Sequence, residues 1–236
     1  MTSTKQIYTK LTQLEHVLKR PDTYVGSTRL KNITEYISNS TSFKIEEKTI
    51  QVSPALLRIF IEPLSNIIDN VSRSKQSNIK VSKIEITINK ETGLTTLWND
   101  GEVIPIEIHT EEKCYNHTLI FGNLLTSSNY DDTQDRLDIS GKNGLGVKLT
   151  SVFSKEFKVE GADTLNKKSF SQTWRNNMRE STEPVVKPYK IGRGFTKVSY
   201  TPDFSQFNLK GYTDDIISLY KKYAIDTAML TKVPVF

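Results

Sequence analysis

Residues 53–71 read SPALLRIFIEPLSNIIDNV and carry the clearest helical pattern in the chain. Ser53 is a preferred N-cap residue type, and Pro54 suits the first helical position, where a backbone N–H has no partner within the helix. Apolar side chains then recur every three or four residues, as on a helix with one face in a core. They are Leu57, Phe60, Ile61, Leu64, Ile67, Ile68 and Val71. The sequence therefore predicts a long amphipathic helix from Ser53.

The other face of this helix is polar and includes two residues that could carry chemistry. Glu62 and Asn66 are four residues apart, so they lie on the same helix face. A carboxylate one turn from a carboxamide can supply a general base beside an oxygen ligand for Mg²⁺, which needs few protein oxygens when phosphates and water complete its shell. The alternative is that this face is the solvent side of the helix. Its polar residues are Arg58, Glu62, Ser65, Asn66, Asp69 and Asn70.

The rest of the pattern predicts helices and antiparallel strands in one body. A short amphipathic segment stops at Pro21, and a final helix is predicted from Asp214 to Leu230 after a Thr213 cap. Alternating apolar residues predict a hairpin of two strands, 83–88 and 95–98. Further strand-like runs are 157–159, 168–174 and 195–200.

The composition is that of a globular domain with enough apolar material for a core. The 236 residues include 32 Lys and Arg against 27 Asp and Glu, a formal net charge of +5, and 36% are hydrophobic. No run of about 18 apolar residues occurs, and the N-terminus lacks an apolar signal core, so the sequence predicts an intracellular protein without a membrane segment. The single cysteine, Cys114, excludes an internal disulfide framework.

The positive charge is concentrated near the N-terminus. Residues 1–31 contain six Lys and Arg against Glu15 and Asp22, which gives +4 of the total +5. Such a segment is either a solvated leader or an arm that contacts an anion, in nucleic acid or in a nucleotide of a neighbouring subunit.

At the other end the chain stops within an apolar run, 233–236, and we expect a fragment of a longer protein.

A glycine cluster, Gly141-Lys142-Asn143-Gly144-Leu145-Gly146, follows a polar stretch from Thr126 to Ser140 that predicts a long loop. The cluster is not a P-loop, because Val147 rather than a lysine follows its last glycine. It is not a dinucleotide fingerprint either, because an acidic loop rather than a strand precedes it. Glycines ahead of a helix still allow backbone N–H groups to approach phosphate oxygens. Nucleotide binding is one interpretation, and an ordinary glycine-rich turn is the other.

A third segment, Asn99-Asp100-Gly101, ends a predicted strand and has the composition of a β-turn. A short amide or carboxylate at a strand end can also hydrogen-bond to the edge of a base, with Ile104 packed on the ring. A plain turn remains the alternative.

In this order and spacing, the segments resemble the successive motifs of the ATPase superfamily shared by gyrase, the ninety-kilodalton heat-shock chaperone, histidine kinases and the MutL repair proteins (the GHKL, or Bergerat-fold, ATPases). The motifs are Glu62-x-x-x-Asn66-x-x-Asp69-Asn70, Asn99-x-Gly101, Thr126-Ser127-Ser128-Asn129, Gly141 to Lys148, and Gly194-Phe195-Thr196. Residues 12–26, TQLEHVLKRPDTYVG, resemble the start of eukaryote-type DNA topoisomerase II. The resemblance runs from about Ile7 to Phe236.

The resemblance implies an α+β fold, a two-layer α/β sandwich in which a mixed, mostly antiparallel sheet carries helices on one face. It implies an N-terminal basic arm over residues 1–26 and an ATPase domain over residues 27–236. The implied function is ATP binding and hydrolysis in a type IIA topoisomerase, where ATP-driven dimerisation closes a gate on a DNA duplex. The alternative within the superfamily is a nucleotide-gated dimerisation clamp in which hydrolysis is incidental or lost.

By the same resemblance, Glu62 activates the attacking water, Asn66 binds Mg²⁺ and Asn99 recognises the adenine amino group. Thr196 supports the adenine pocket, and Tyr8 reaches across a dimer into the partner's ATP site. The other nucleotide-binding residues implied by the motifs are Asp69, Asn70, Gly101, Ile104, Ser127, Ser128, Asn129, Gly141, Lys142, Asn143, Gly144, Leu145, Gly146, Val147 and Lys148.

The implied partners are a second copy of the chain, joined through the N-terminal arm when ATP binds, and double-stranded DNA in the full-length protein. Because the body is nearly neutral, we expect only weak DNA binding by this chain alone. The implied compartment is the nucleus, or the host cytoplasm for a viral protein.

Three departures from the family pattern bear on activity. Pro63 lies inside the motif helix directly after Glu62 and predicts a kink there. Val103 replaces the glycine usual at the end of the Asn99 motif. The lysine that contacts the γ-phosphate in this family lies in a transducer domain that follows the ATPase domain. We therefore expect ATP and Mg²⁺ binding with slow hydrolysis.

Overall fold

The computed structural model describes residues 10–39, 42, 44–124 and 145–236. Helices in this part of the chain are α1 (Gln13–Lys19), α2 (Pro21–Tyr24), α3 (Pro54–Gln76), α4 (Asn116–Gly122), α5 (Gly146–Val152) and α6 (Asp214–Thr231), with a 3-10 turn at Phe204–Phe207. Strands are β1 (Lys31–Asn39), β2 (Lys44–Val52), β3 (Ile84–Ile88), β4 (Thr95–Asn99), β5 (Ser154–Asp163), β6 (Lys168–Arg175), β7 (Glu180–Ser181), β8 (Val185–Pro188) and β9 (Phe195–Pro202).

Seven strands form the main sheet, in the order β3-β4-β9-β5-β6-β7 with β8 also paired to β6. The pairings between these strands are antiparallel. At the β3 edge, Ile84 forms a parallel bridge to Val235, and the Ile84 N–H donates to the Pro234 carbonyl at 2.9 Å. The prediction of a mixed, mostly antiparallel sheet is therefore confirmed, with the parallel pairing at this edge.

The helical layer covers one face of the sheet, as predicted. Helices α3 and α5 contact each other and the central strands. Phe60 of α3 stacks on Tyr220 of α6 with ring centroids 3.8 Å apart, and the Tyr220 hydroxyl donates to the Leu56 carbonyl. The other face is mostly polar and includes the ion pairs that Glu160 makes with Lys158 and Lys197, although Trp98 and Phe195 stack there. The two faces thus differ in polarity as a two-layer sandwich requires.

Strands β1 and β2 form a separate two-stranded sheet that the sequence analysis did not predict. This hairpin packs on α6 through a small cluster of Ile37, Ile50 and Leu219. Most residues of β2, KIEEKTIQV, are exposed, and only Ile50 and Val52 are buried. The alternation of polar and apolar residues is therefore too weak to identify this strand.

The N-terminal helix α1 is closed by a capping box between Thr12 and Glu15. Its Val17 is fully buried in the main core, together with Val25. The division into an arm over residues 1–26 and a domain over 27–236 stays a prediction. Among the helices that the structure describes, none is long and apolar enough to cross a membrane.

Candidate active site

Helix α3 presents Glu62 and Asn66 on successive turns. The Glu62 side chain is only 13% exposed and forms an ion pair with Arg58, one turn earlier. Asn66 is exposed. The predicted polar face is thus real, and it holds a shielded carboxylate next to an accessible carboxamide.

The surroundings of Glu62 favour a role as a base. Burial raises the pKa of the Glu62 carboxyl, the Arg58 guanidinium opposes this rise, and the neighbouring charge of Asp69 adds to it. A carboxylate whose pKa is raised accepts a proton more readily than a free glutamate at neutral pH.

Helix α3 continues through Pro63 as one element. A proline at this position removes the N–H that would donate to the Ile59 carbonyl. In its place the Thr150 hydroxyl of α5 donates to that carbonyl at 2.8 Å. The Ile59 carbonyl is therefore satisfied by the neighbouring helix, and the kink at Pro63 stays a prediction.

Helix α5 brings the end of the predicted phosphate loop against α3. The main chain of Gly146 lies on the Glu62 carboxylate so closely that a Cβ there would collide with Oε2. Leu145 is half-buried and Val147 is buried in the main core. Lys148 is 2% exposed, and burial lowers its pKa to about 8. The glycine thus allows a close approach of α5 to Glu62, and the approach of its N–H to phosphate oxygens stays a prediction.

The base-binding residues of the prediction lie in one row across the sheet. Asn99 on β4 pairs with Thr196 on β9, and Thr196 pairs with Gly161 on β5. Residues in register on antiparallel strands point to the same face, so Asn99 and Thr196 share the helical side of the sheet. Beyond Gly161, the buried His117 has its Nε2 2.6 Å from where a Gly161 Cβ would lie. Burial lowers the pKa of His117 to about 4, so this ring is neutral.

The loop after Asn99 is anchored to α3. The Asn70 amide donates to the Glu102 carbonyl at 2.8 Å, and the Glu102 N–H donates to Ser74 Oγ at 2.7 Å. A Cβ at Gly101 would collide with Asn70 Oδ1 and lie 2.7 Å from Ser74 Oγ. Asn70 and Gly101, which the motifs place in the nucleotide site, thus contact each other. Asp69 is buried beside Glu62.

The next part of this loop, at Ile106, is bonded to Asp163 at the end of β5. The Ile106 N–H donates to Asp163 at 3.0 Å, and Asp163 also accepts N–H bonds from Leu165 and Asn166. These bonds lower the pKa of Asp163 against the opposing effect of burial. Ile104, which was predicted to pack on a base, is half-buried and lies two residues before this anchor.

Val103, the departure at the end of the Asn99 motif, packs on Gly194. A Cβ at Gly194 would collide with Val103 Cγ1 and lie 3.0 Å from the Ala162 carbonyl. Gly194 immediately precedes Phe195 and Thr196 on β9. The larger residue in the loop is therefore accommodated by a glycine just before the strand.

The remaining predicted site residues lie outside the described part of the chain. They are Tyr8, Ser127, Ser128, Asn129, Gly141, Lys142, Asn143 and Gly144. The described part contains no cluster of three His, Cys, Asp or Glu that could hold a metal ion. Asn66 is exposed and offers an amide oxygen, a donor type found among the ligands of hard cations, and its assignment to Mg²⁺ stays a prediction.

Sequence reasoning missed several residues that support the site. Thr150, Ser74 and Asp163 bond to main-chain groups of the motif segments, and Gly161 completes the row across the sheet. Pro63 was a usable signal, because a proline inside a helix implies a carbonyl that needs another donor.

Comparison with known proteins identifies relatives along most of the chain. DNA topoisomerase 2 of Invertebrate iridescent virus 6 is 46% identical over 235 residues, which cover 96% of this chain and 20% of that protein. Human DNA topoisomerase 2-alpha is 42% identical over 230 residues, which cover 98% of this chain and 15% of that protein. The chain thus spans a fifth or less of the length of these relatives. No protein-family model matches the chain.

Solved structures agree with the sequence relatives. The crystal structure of the ATPase region of Saccharomyces cerevisiae topoisomerase II matches with a TM-score of 0.89 at 39% identity. The match covers 93% of this chain and 57% of that one. By sequence and by fold, the chain is related to the ATPase region of the type II DNA topoisomerases.

Proposed function

We propose that this chain binds ATP with Mg²⁺ and hydrolyses the ATP slowly. The observation that carries the proposal is the packing of Gly146 on the Glu62 carboxylate. This contact brings the segment predicted to wrap a triphosphate next to the predicted base, with Asn66 accessible one turn further along α3. The likeness to the ATPase region of the yeast enzyme supports the same function.

The chemistry needs positioning and charge neutralisation more than covalent steps. Glu62 would orient water and accept its proton, and Asn66 would hold the metal ion. Mg²⁺, when bound, would neutralise charge on the phosphate oxygens. Asn99 would bind the adenine amino group through its carboxamide oxygen. That oxygen accepts the Gly101 N–H at 3.2 Å and retains a second lone pair.

In the longer protein, this domain would act as an ATP-dependent gate. ATP binding would pair two copies through their N-terminal arms, with Tyr8 entering the partner's site, and the closed pair would hold a DNA duplex for strand passage. The chain alone would bind DNA weakly and lose that binding as salt rises. The compartment would be the nucleus, or the host cytoplasm for a viral protein. The relatives described above carry the topoisomerase name, and no observation favours the alternative of a clamp without hydrolysis.

Replacement of Glu62 tests the proposal. Glu62→Gln should lower turnover at least about 100-fold, the contribution expected of a general base, while nucleotide binding is retained. Glu183→Gln is a matched control, because it makes the same substitution at an exposed residue between β7 and β8. Wild-type turnover in Glu62→Gln would contradict the assignment of the base. Loss of binding in Glu62→Gln would contradict the separation of binding from hydrolysis.

A further inference from the structure

The bond between Thr150 and Ile59 replaces a helical hydrogen bond that Pro63 cannot make. Ile59, Pro63 and Thr150 are all buried, so water cannot satisfy the Ile59 carbonyl. A buried carbonyl without a donor is costly, and the Thr150 hydroxyl at 2.8 Å supplies one. The Ile59 carbonyl begins the turn of α3 that carries Glu62.

Helix α5 therefore touches this turn of α3 at two points. Thr150 bonds to its main chain through Ile59, and Gly146 packs on its functional side chain, Glu62. Both contacts come from one short helix, so a change in the position of α5 changes both together. Because Pro63 lacks an N–H, the Ile59 carbonyl thus accepts its hydrogen bond from Thr150 of α5 and not from within α3.

We propose that Thr150 is a positioning residue for Glu62. Through its bond to the Ile59 carbonyl, Thr150 makes the orientation of the Glu62 carboxylate depend on the position of α5. This inference rests on the proposed hydrolysis of ATP. Thr150 acts through the Ile59 carbonyl and not by contact with the nucleotide. Without its hydroxyl, the Glu62 turn is free to shift relative to Gly146.

The test uses variants of the whole chain that remove or restore the bond. Thr150→Val removes the hydroxyl at nearly constant volume, and Thr150→Ser keeps it. Pro63→Ala returns an N–H to the Ile59 carbonyl, so the hydroxyl becomes unnecessary in Pro63→Ala/Thr150→Val. Thr227→Val is a matched control, because Thr227 is also buried and its hydroxyl donates to a helix carbonyl, that of Tyr223, at 2.8 Å in α6.

The expected result is a loss of turnover in one variant alone. Thr150→Val should lower kcat about tenfold, less than the loss known for a 1 Å misplacement of a reacting group, with unchanged nucleotide affinity. Thr150→Ser and Pro63→Ala/Thr150→Val should regain turnover. The proposal is overturned if Thr150→Val keeps the kcat of Thr227→Val. It is also overturned if the loss persists in the Pro63→Ala background, because packing and not the bond would then matter.

A readout without ATP separates this proposal from the proposed function. The pKa of the Glu62 carboxyl, followed by NMR, should move in Thr150→Val and return in the double variant, even if the wild-type chain shows no hydrolysis. An unchanged pKa in Thr150→Val overturns the proposal. If Thr150→Val does not fold, the double variant Pro63→Ala/Thr150→Val must fold and match Pro63→Ala in turnover and in the pKa of Glu62. A double variant that fails to do so also overturns the proposal.

Discussion

The main chain of Gly146 lies against the carboxylate of Glu62, and a Cβ at residue 146 would collide with Glu62 Oε2 unless that carboxylate moved. Gly146→Ala should therefore displace Glu62 and lower turnover roughly 100-fold. Gly211→Ala is the control, since no atom lies within 4 Å of a Cβ placed there. Steady-state ATP hydrolysis by both variants measures the difference. Equal rates would show that the contact has no bearing on the reaction.

Arg58 should control the pH at which the site works. Its guanidinium lowers the pKa of Glu62 against the effect of burial, so Arg58→Ala should raise that pKa further. A protonated Glu62 cannot act as a base, and the acid limb of the kcat profile should move to higher pH. Lys222→Ala, which breaks another ion pair with the same spacing, should leave the profile in place. A profile unmoved in Arg58→Ala would exclude Glu62 as the titrating base.

Lys148 should make nucleotide binding depend on pH. Burial lowers its pKa to about 8 in the free chain, and a bound triphosphate would favour the charged form. Below that pH the lysine is charged in both states and affinity is constant. Above it, binding requires proton uptake, and affinity should fall by up to about tenfold per pH unit. Calorimetry in buffers of different ionisation enthalpy measures the uptake.

The variant Lys148→Met should show weaker binding without this proton uptake, whereas Lys168→Met, at an exposed position, should behave as the wild type. Proton uptake that persists in Lys148→Met would assign the effect to another group.

Val103 and Gly194 should behave as a size-complementary pair. Gly194→Ala inserts a methyl group against Val103 and should destabilise the chain by about 1–3 kcal/mol, the usual cost of overpacking. Adding Val103→Ala removes the colliding methyl groups and should recover part of the loss. Urea unfolding of the single and double variants measures both. Independent, additive effects would show that the two residues do not share this space.

The sequence predicted the polar face of α3 but not everything that packs on it. The spacing of Glu62 and Asn66 is local, so helical periodicity is enough to place them together. Asn70 was assigned to the polar face, yet it is 8% exposed because the loop around Glu102 covers it. The residues that cover a helix face come from distant parts of the chain, so helical periodicity does not predict them.

The sequence also did not predict which residues of neighbouring strands pair with each other. The resemblance named Asn99 and Thr196, but their alignment with Gly161 depends on how three strands pair over a separation of many residues. The donor to the Ile59 carbonyl could not be predicted from the sequence either. A proline inside a helix indicates that some carbonyl needs another donor, but only the packing of α5 on α3 identifies Thr150 as that donor.

A calorimetric titration with a non-hydrolysable ATP analogue addresses the whole proposal with one measurement. The wild-type chain should bind the analogue saturably, with Mg²⁺ increasing the affinity. Asn99→Ala should weaken binding with or without Mg²⁺, because it removes a contact to the base, and Asn66→Ala should abolish only the contribution of Mg²⁺. No binding by the wild-type chain, or binding that ignores both Asn99 and Asn66, would contradict the assignment of this site.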